Sequence, residues 1–141
     1  MKDISVPLKL INLQDDGFHL LVEVVVFKEK YFAVLDTGAS RSVFDKSLIE
    51  KHVSGTLQVS DEINAATLFT TTTTIQATIP QLKIGALKIN NYETVAFDLQ
   101  SVTDTYQQFG HPPIMGIIGG DILMQYKAII DYNKLQLRLY R

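Results

Sequence analysis

The run Tyr31-Phe-Ala-Val-Leu-Asp-Thr-Gly-Ala-Ser40 constrains this chain more than any other stretch. Largely apolar residues, good strand formers, lead straight into Asp36-Thr37-Gly38. A carboxylate placed where a buried strand breaks into a tight turn is costly to hide from water, so it is either paired or put to use. Taken alone, Asp-Thr-Gly also describes a plain type I turn, with Asp bonding its own backbone and Gly supplying a positive φ. The flanks argue for more. Val34-Leu35 stand in front of the turn, and Met115-Gly-Ile-Ile-Gly-Gly-Asp121 supplies a second apolar strand ending in glycines. Together the two segments point to a carboxylate site that activates water.

The remaining sequence excludes most other chemistries. With 141 residues the chain is expected to form one domain, 1–141, large enough to bury about two-thirds of its extended surface. The net charge is −2 and the Lys and Arg residues are scattered. No basic stripe collects phosphates, so nucleic acid is not an expected partner. The longest apolar stretch, Leu20 to Phe27, is interrupted by Glu23 and is too short to span a bilayer, so no membrane association is expected. Met1-Lys-Asp-Ile-Ser has no apolar core behind its lysine, which gives the expectation of a cytoplasmic protein. Cysteine is absent, removing disulfides, zinc–thiolate sites and cysteine nucleophiles together. His19, His52 and His111 have no metal-like spacing, and no nucleophile elbow surrounds Ser40 or Ser42.

Short strands separated by polar turns predict an all-β barrel or sandwich. Ile4 to Ile11, Phe18 to Phe27 and Tyr31 to Asp36 read as strands, with turns at Asp15-Asp16-Gly17 and Lys28-Glu29-Lys30. Ser42-Val43-Phe44 is extended, and Asp45 can cap a short helix through about His52. Leu57 to Ile63 and Leu68 to Ile79 follow as β candidates, the second carrying the β-branched run Thr70 to Thr74. Leu82 to Ile89 reads as a hairpin turning at Gly85, and Tyr92 to Leu99 as a further strand. Ser101 to His111 holds a short helix or a loop, closed by Pro112-Pro113. Phe32 to Ile49 and Ile114 to Ile130 echo each other weakly, as two related halves would.

Leu35-Asp36-Thr37-Gly38-Ala39-Ser40 followed by Ile117-Ile118-Gly119 resembles the retropepsin-type aspartic proteases, the half-size relatives of pepsin. The resemblance extends over most of the chain, through a short helix near Asp121 and a last strand ending at Arg141. It implies a retropepsin-like acid-protease fold, a closed β-barrel or sandwich with one or two short helices. It also implies peptide or protein substrates and no cofactor or metal. By similarity Asp36, Thr37 and Gly38 form the catalytic turn, with Ala39 and Ser40 behind it. Ser40 is then placed to bond the outer oxygen of Asp36, and Thr37 to bond across a dimer axis. Val34 and Ile117 are either walls of the substrate pockets or plain core.

Such an enzyme needs two carboxylates facing each other across a water. The chain has a single Asp-Thr-Gly. Asp121 reads as an N-terminal helix residue, and Asp131 lies in Ile-Ile-Asp-Tyr with no glycine turn after it. The second carboxylate is therefore expected from Asp36 of another copy, making a homodimer. The terminal segments Ile4 to Ile11 and Leu135 to Tyr140 are strands available to pair at its interface. Two departures from the family pattern stand out. The flap candidate Asp61 to Thr67, whose Asn64, Ala65 and Ala66 would meet the substrate, contains no glycine. Gly120 stands where viral members often carry a dimer-bracing arginine. A non-catalytic dimer that binds peptide segments is the alternative reading, and an unrelated β-sandwich interaction domain is a third.

Overall fold

Two tight hairpins set the framework. Val26 pairs with Glu29 across Phe27 and Lys28, both at positive φ (52° and 65°), the left-handed pair whose twist matches flanking strands. Ile84 pairs with Leu87 across Gly85 and Ala86, with Gly85 at φ +59°. Only glycine serves there twice over, because a Cβ would also sit 2.8 Å from the Val6 side chain.

The computed structural model describes residues 2–13, 17–52, 58–60 and 74–141. Among these, the elements in order are β1 (Asp3–Asn12), β2 (Phe18–Val26), β3 (Glu29–Leu35), β4 (Val43–Asp45) and α1 (Lys46–His52). Then come β5 (Gln58–Ser60), β6 (Thr74–Ile84), β7 (Leu87–Phe97) and α2 (Gln100–Gln108). The chain ends with β8 (Ile114–Ile118), α3 (Gly120–Gln125), β9 (Ile129–Asp131) and β10 (Gln136–Tyr140). Strands run β5-β6-β7-β4-β8-β3-β2-β1-β10-β9, and a second pairing of β6 with β2 closes the middle six into a barrel. The expected all-β retropepsin-like fold is what forms, and of the two expected layouts it is the barrel. It carries three short helices among the described residues, where one or two were expected.

Alternation explains the core. Along β1, Ile4, Val6 and Leu8 point into the main core with Val22, Val24, Leu137 and Leu139. On the opposite face of the same strand, Ile11 joins a second cluster with Leu13, Leu21, Tyr106 and Ile114. The buried face changes where β1 leaves β10 (through Pro7) and begins to pair with β2 (from Leu8). The helix α2 covers that second face with Val102 and Tyr106, which is why β2 is buried on both sides from Leu20 to Val22.

Asp45 caps α1 through Leu48 N–H (3.2 Å) and, through its other oxygen, holds Leu99 N–H (3.0 Å) ahead of α2. Of the segment Ser101 to His111, the part through Gln108 is helix (α2) and the rest is turn and coil. Leu82–Ile89 and Tyr92–Leu99 belong to one long strand pair, because β7 runs unbroken through Asn90 and Asn91. The terminal strands pair with each other inside one chain, from Asp3 opposite Tyr140 to Pro7 opposite Gln136, and are not left open for a second copy. Of Thr70 to Thr74 only Thr74 lies within the described residues. The flap candidate, with Asn64, Ala65 and Ala66, lies outside them. Among the described residues no helix is long and apolar enough to cross a membrane.

Candidate active site

The strands β3 and β8 lie side by side and parallel, Val34 opposite Ile117 and Leu35 opposite Ile118. Asp36 extends that ladder by one bond, its N–H donating to the Ile118 carbonyl at 3.0 Å. The chain then turns: Ala39 N–H donates to the Asp36 carbonyl (3.2 Å) and Gly38 N–H to Asp36 Oδ1 (2.9 Å). Asp36 thus closes its own turn, although Gly38 is not at the positive φ that the plain turn reading expects. Its side chain nevertheless stays exposed, with one oxygen free of that bond. The turn and the available carboxylate are compatible. Glycine at 38 permits this geometry, since a Cβ would stand 3.3 Å from the same Oδ1.

A cleft of about 310 Å³ opens beside Asp36. Val34 and Ile117 form one wall, Val102 and Tyr106 from α2 another, and Phe18 and Tyr132 stand at the rim. Val34 and Ile117 are half-buried: Val34 packs on the second core cluster, Ile117 on a third one around Val43, Val95 and Leu99. The two residues thus line the cleft and pack against the core at once. His19 also lines the cleft, its Nδ1 within 2.8 Å of the Tyr106 hydroxyl. Sequence reasoning set His19 aside for want of metal spacing. The feature that could have found it is its place beside Leu20 on the strand antiparallel to β3, two positions from the residue facing Val34. A larger, polar cavity of about 530 Å³ is lined by Arg41, Gln76, Thr78 and Glu93, but it does not contain Asp36. The chemistry assigns the smaller one.

The loop that carries Asp36 is held from below. Gly120 N–H donates to the Ala39 carbonyl at 2.7 Å, and Gly119 N–H to Ser42 Oγ at 2.8 Å. At Gly119 there is no room for a side chain: a Cβ would lie 2.6 Å from the Ala39 carbonyl oxygen. Ser42 N–H and Oγ–H both donate to Asp121 Oδ1, at 2.9 and 2.7 Å. The Tyr92 hydroxyl donates to Asp121 Oδ2 at 2.6 Å. Burial, and then this bond, push the Tyr92 phenol well above its ordinary pKa.

Asp121 does sit in the first turn of α3, yet its carboxylate serves Ser42 and Tyr92. Asp131 binds the N–H groups of Asn133 and Lys134, which hold its carboxyl below the usual range. Asp121 is thus engaged at both oxygens, whereas Asp131 is bonded at Oδ1 and does not line the cleft beside Asp36. Thr37 and Ser40 are exposed, and the hydrogen bond that the Asp36 carboxylate receives among the described residues is that from Gly38. The serine engaged behind the turn is Ser42, two positions beyond the one expected.

A family profile described as aspartyl protease matches residues 22–122, which includes β3, β8, Asp36 and Asp121. Among solved structures, a retropepsin-like aspartic protease from Rickettsia conorii is similar in fold, with a TM-score of 0.60 and 20% identity. That match covers 99% of this chain and 90% of the other. The retroviral protease-like domain of Ddi1 from Leishmania major is also similar, with a TM-score of 0.52, 16% identity and 82% of each chain covered. No curated protein sequence matches this chain.

Proposed function

The chain belongs to the aspartyl protease family, and on that premise we propose that it is an endopeptidase in which the Asp36 carboxylates of two copies activate one water. The observation that carries this reading is the contrast among the three candidate acids. Asp36 is exposed at the edge of a cleft, while Asp121 is engaged at both oxygens by structural hydrogen bonds and Asp131 does not line that cleft. A lone carboxylate can accept a proton from water but cannot at the same moment donate one to the scissile carbonyl. The missing donor is the same residue on a second copy, related by a twofold axis.

Two carboxylates about 3 Å apart repel by roughly 5 kcal/mol at an effective dielectric near 20. One proton is therefore shared between them, and the pair titrates in two separated steps. The ionised Asp36 takes a proton from the water, which attacks the peptide carbon, while the protonated Asp36 gives its proton to the carbonyl oxygen. Return of a proton to the leaving nitrogen completes cleavage of the C–N bond. Thr37 stabilises the pair through the partner's backbone, and Val34 and Ile117 seat a substrate side chain. Residues 1–141 act as one protease domain with an extended peptide or protein segment as substrate.

The test is cleavage of a diverse peptide library from about pH 3 to 7, with and without a statine-type transition-state mimic, beside Asp36→Asn. Cleavage that the mimic blocks and the substitution removes is the expected result. Cleavage persisting in Asp36→Asn, or activity from a strictly monomeric protein, overturns the mechanism. A folded dimer that binds peptides without cutting them would establish the non-catalytic alternative, to which the glycine-free lid sequence is suited.

A further inference from the structure

We infer that Tyr92, acting through Asp121 and Ser42, is a positioning residue for the Asp36 carboxylate. The inference rests on the peptidase reading above. The loop from Asp36 to Ser42 is bound to the segment Ile118 to Asp121 at its start, middle and end: Asp36 N–H to Ile118 (3.0 Å), Gly120 N–H to Ala39 (2.7 Å), and Ser42 to Gly119 and Asp121. Ser42 is 1% exposed, and its hydroxyl donates to Asp121 while accepting from Gly119, so it has no second orientation that keeps both bonds. Asp121 in turn holds Ser42 only while its own carboxylate plane is fixed. Two donors on Oδ1 leave it free to pivot, and the Tyr92 hydroxyl on Oδ2 supplies the third point.

The Ser42 and Tyr92 hydroxyl contacts, at 2.7 and 2.6 Å, are of the short, charge-assisted kind. They connect β7, on the far side of β4 in the barrel, to the turn that presents Asp36. Tyr92 does not line the cleft beside Asp36, so its loss should leave substrate seating alone and disturb only the carboxylate's placement. Displacements well under an ångström at a reacting group cost roughly tenfold in rate, given that about 1 Å costs ~100-fold.

Three readouts decide the matter. In peptide cleavage, Tyr92→Phe is expected to lower kcat about tenfold with KM within about twofold of the wild type. In ¹H–¹⁵N NMR, the Gly38 amide should respond to titration of Asp36 because it donates to Oδ1, and Tyr92→Phe should reduce that response. If Tyr92→Phe does not fold, the Ser42→Ala and Ser42→Thr pair replaces it: Ala should reproduce the kcat loss and Thr, which keeps the hydroxyl, should restore it. A folded Tyr92→Phe with wild-type kcat and an unchanged Gly38 response, or a Ser42→Ala with wild-type kcat, overturns the inference. Should the wild type cleave nothing, the peptidase reading fails, and the Gly38 response alone still decides whether Tyr92 positions Asp36.

Discussion

The neighbouring parallel strands β3 and β8 each run into a carboxylate, and the two carboxylates meet opposite fates. After Leu35 the chain turns outward at once, so Asp36 keeps its side chain in solvent with one bond from its own turn. After Ile118 the two glycines carry the chain beneath the Asp36 loop, so Asp121 is half-buried and accepts three hydrogen bonds from two other segments. One group is left available and the other is used up. The difference is made by glycine placement and by what packs against each turn, since the residue type is the same. Within a single barrel, a carboxylate's role is thus readable from how many of its lone pairs the protein itself fills.

The largest effect that separates the pair is on catalysis. Asp36→Asn is expected to lower peptide cleavage by roughly 10²–10⁴-fold, the range general acid–base groups contribute. Thermal unfolding should barely move, because the amide oxygen of Asn can still accept from Gly38. Mixing sharpens the claim that two copies are needed. Wild type and Asp36→Asn, unfolded and refolded together in equal amounts, should leave about a quarter of the dimers with two aspartates. Activity per wild-type chain would then halve, whereas independent monomers would lose nothing.

Stability shows the reverse contrast. Asp121→Ala leaves the Ser42 and Tyr92 donors without their acceptor, at a cost of about 2–3 kcal/mol. For a chain of this length the midpoint should drop by roughly 10 °C in a thermal melt. A loss no larger than that of Asp36→Ala would mean that Asp121 is as dispensable to the fold as Asp36, and the comparison would collapse.

The asymmetry also explains what could be read in advance. Asp36 was legible because the signals that mark it are local: an apolar strand before it and a glycine two residues after. The same holds for the hairpin at Gly85 and the helix cap at Asp45. Only the local bond of Asp45 was readable, however; its hold on Leu99, 54 positions away, was not. Asp121 was read as a helix-start residue because its true partners are Ser42, 79 positions earlier, and Tyr92, 29 positions earlier. Periodicity carries no information about such pairs. Tyr92 was further hidden behind Asn90-Asn91, which read as an interruption but lie within β7. The helix α2 was ambiguous because its buried side consists of little more than Thr103 and Tyr106. Tyr106, with Val102 and His19, lines the cleft beside Asp36.

Glycine placement can be tested directly. Gly119→Ala puts a methyl 2.6 Å from the Ala39 carbonyl oxygen, a backbone atom that cannot swing aside. The expected cost is about 1–3 kcal/mol, with cleavage impaired as the Asp36 loop is pushed out. At Gly120 the nearest atom to a Cβ is 3.4 Å away, and the position opens α3. Gly120→Ala should therefore lie within about 0.5 kcal/mol of the wild type, because the helix gains what the contact loses. Equal costs at the two positions in urea unfolding would remove close packing as the reason for the paired glycines.

The smallest expected effect is on pH dependence, and it isolates the bond between Tyr92 and Asp121. Burial and that bond raise the Tyr92 pKa above its unfolded value near 10, so the folded state favours the neutral phenol. The stabilisation is complete below about pH 10 and is lost as pH rises from there through the folded value. Tyr31 is a natural control: partial burial and its bond to Glu29 push its pKa up to about 12, but it stands largely in solvent and its contribution is screened. Urea midpoints at pH 9 and pH 11 should therefore differ more in the wild type than in Tyr92→Phe, by up to about 1 kcal/mol. Tyr31→Phe should behave as the wild type does. If Tyr92→Phe retains the full alkaline loss, its hydroxyl does not hold Asp121 in solution, and the carboxylate beneath the Asp36 loop is fixed by Ser42 alone.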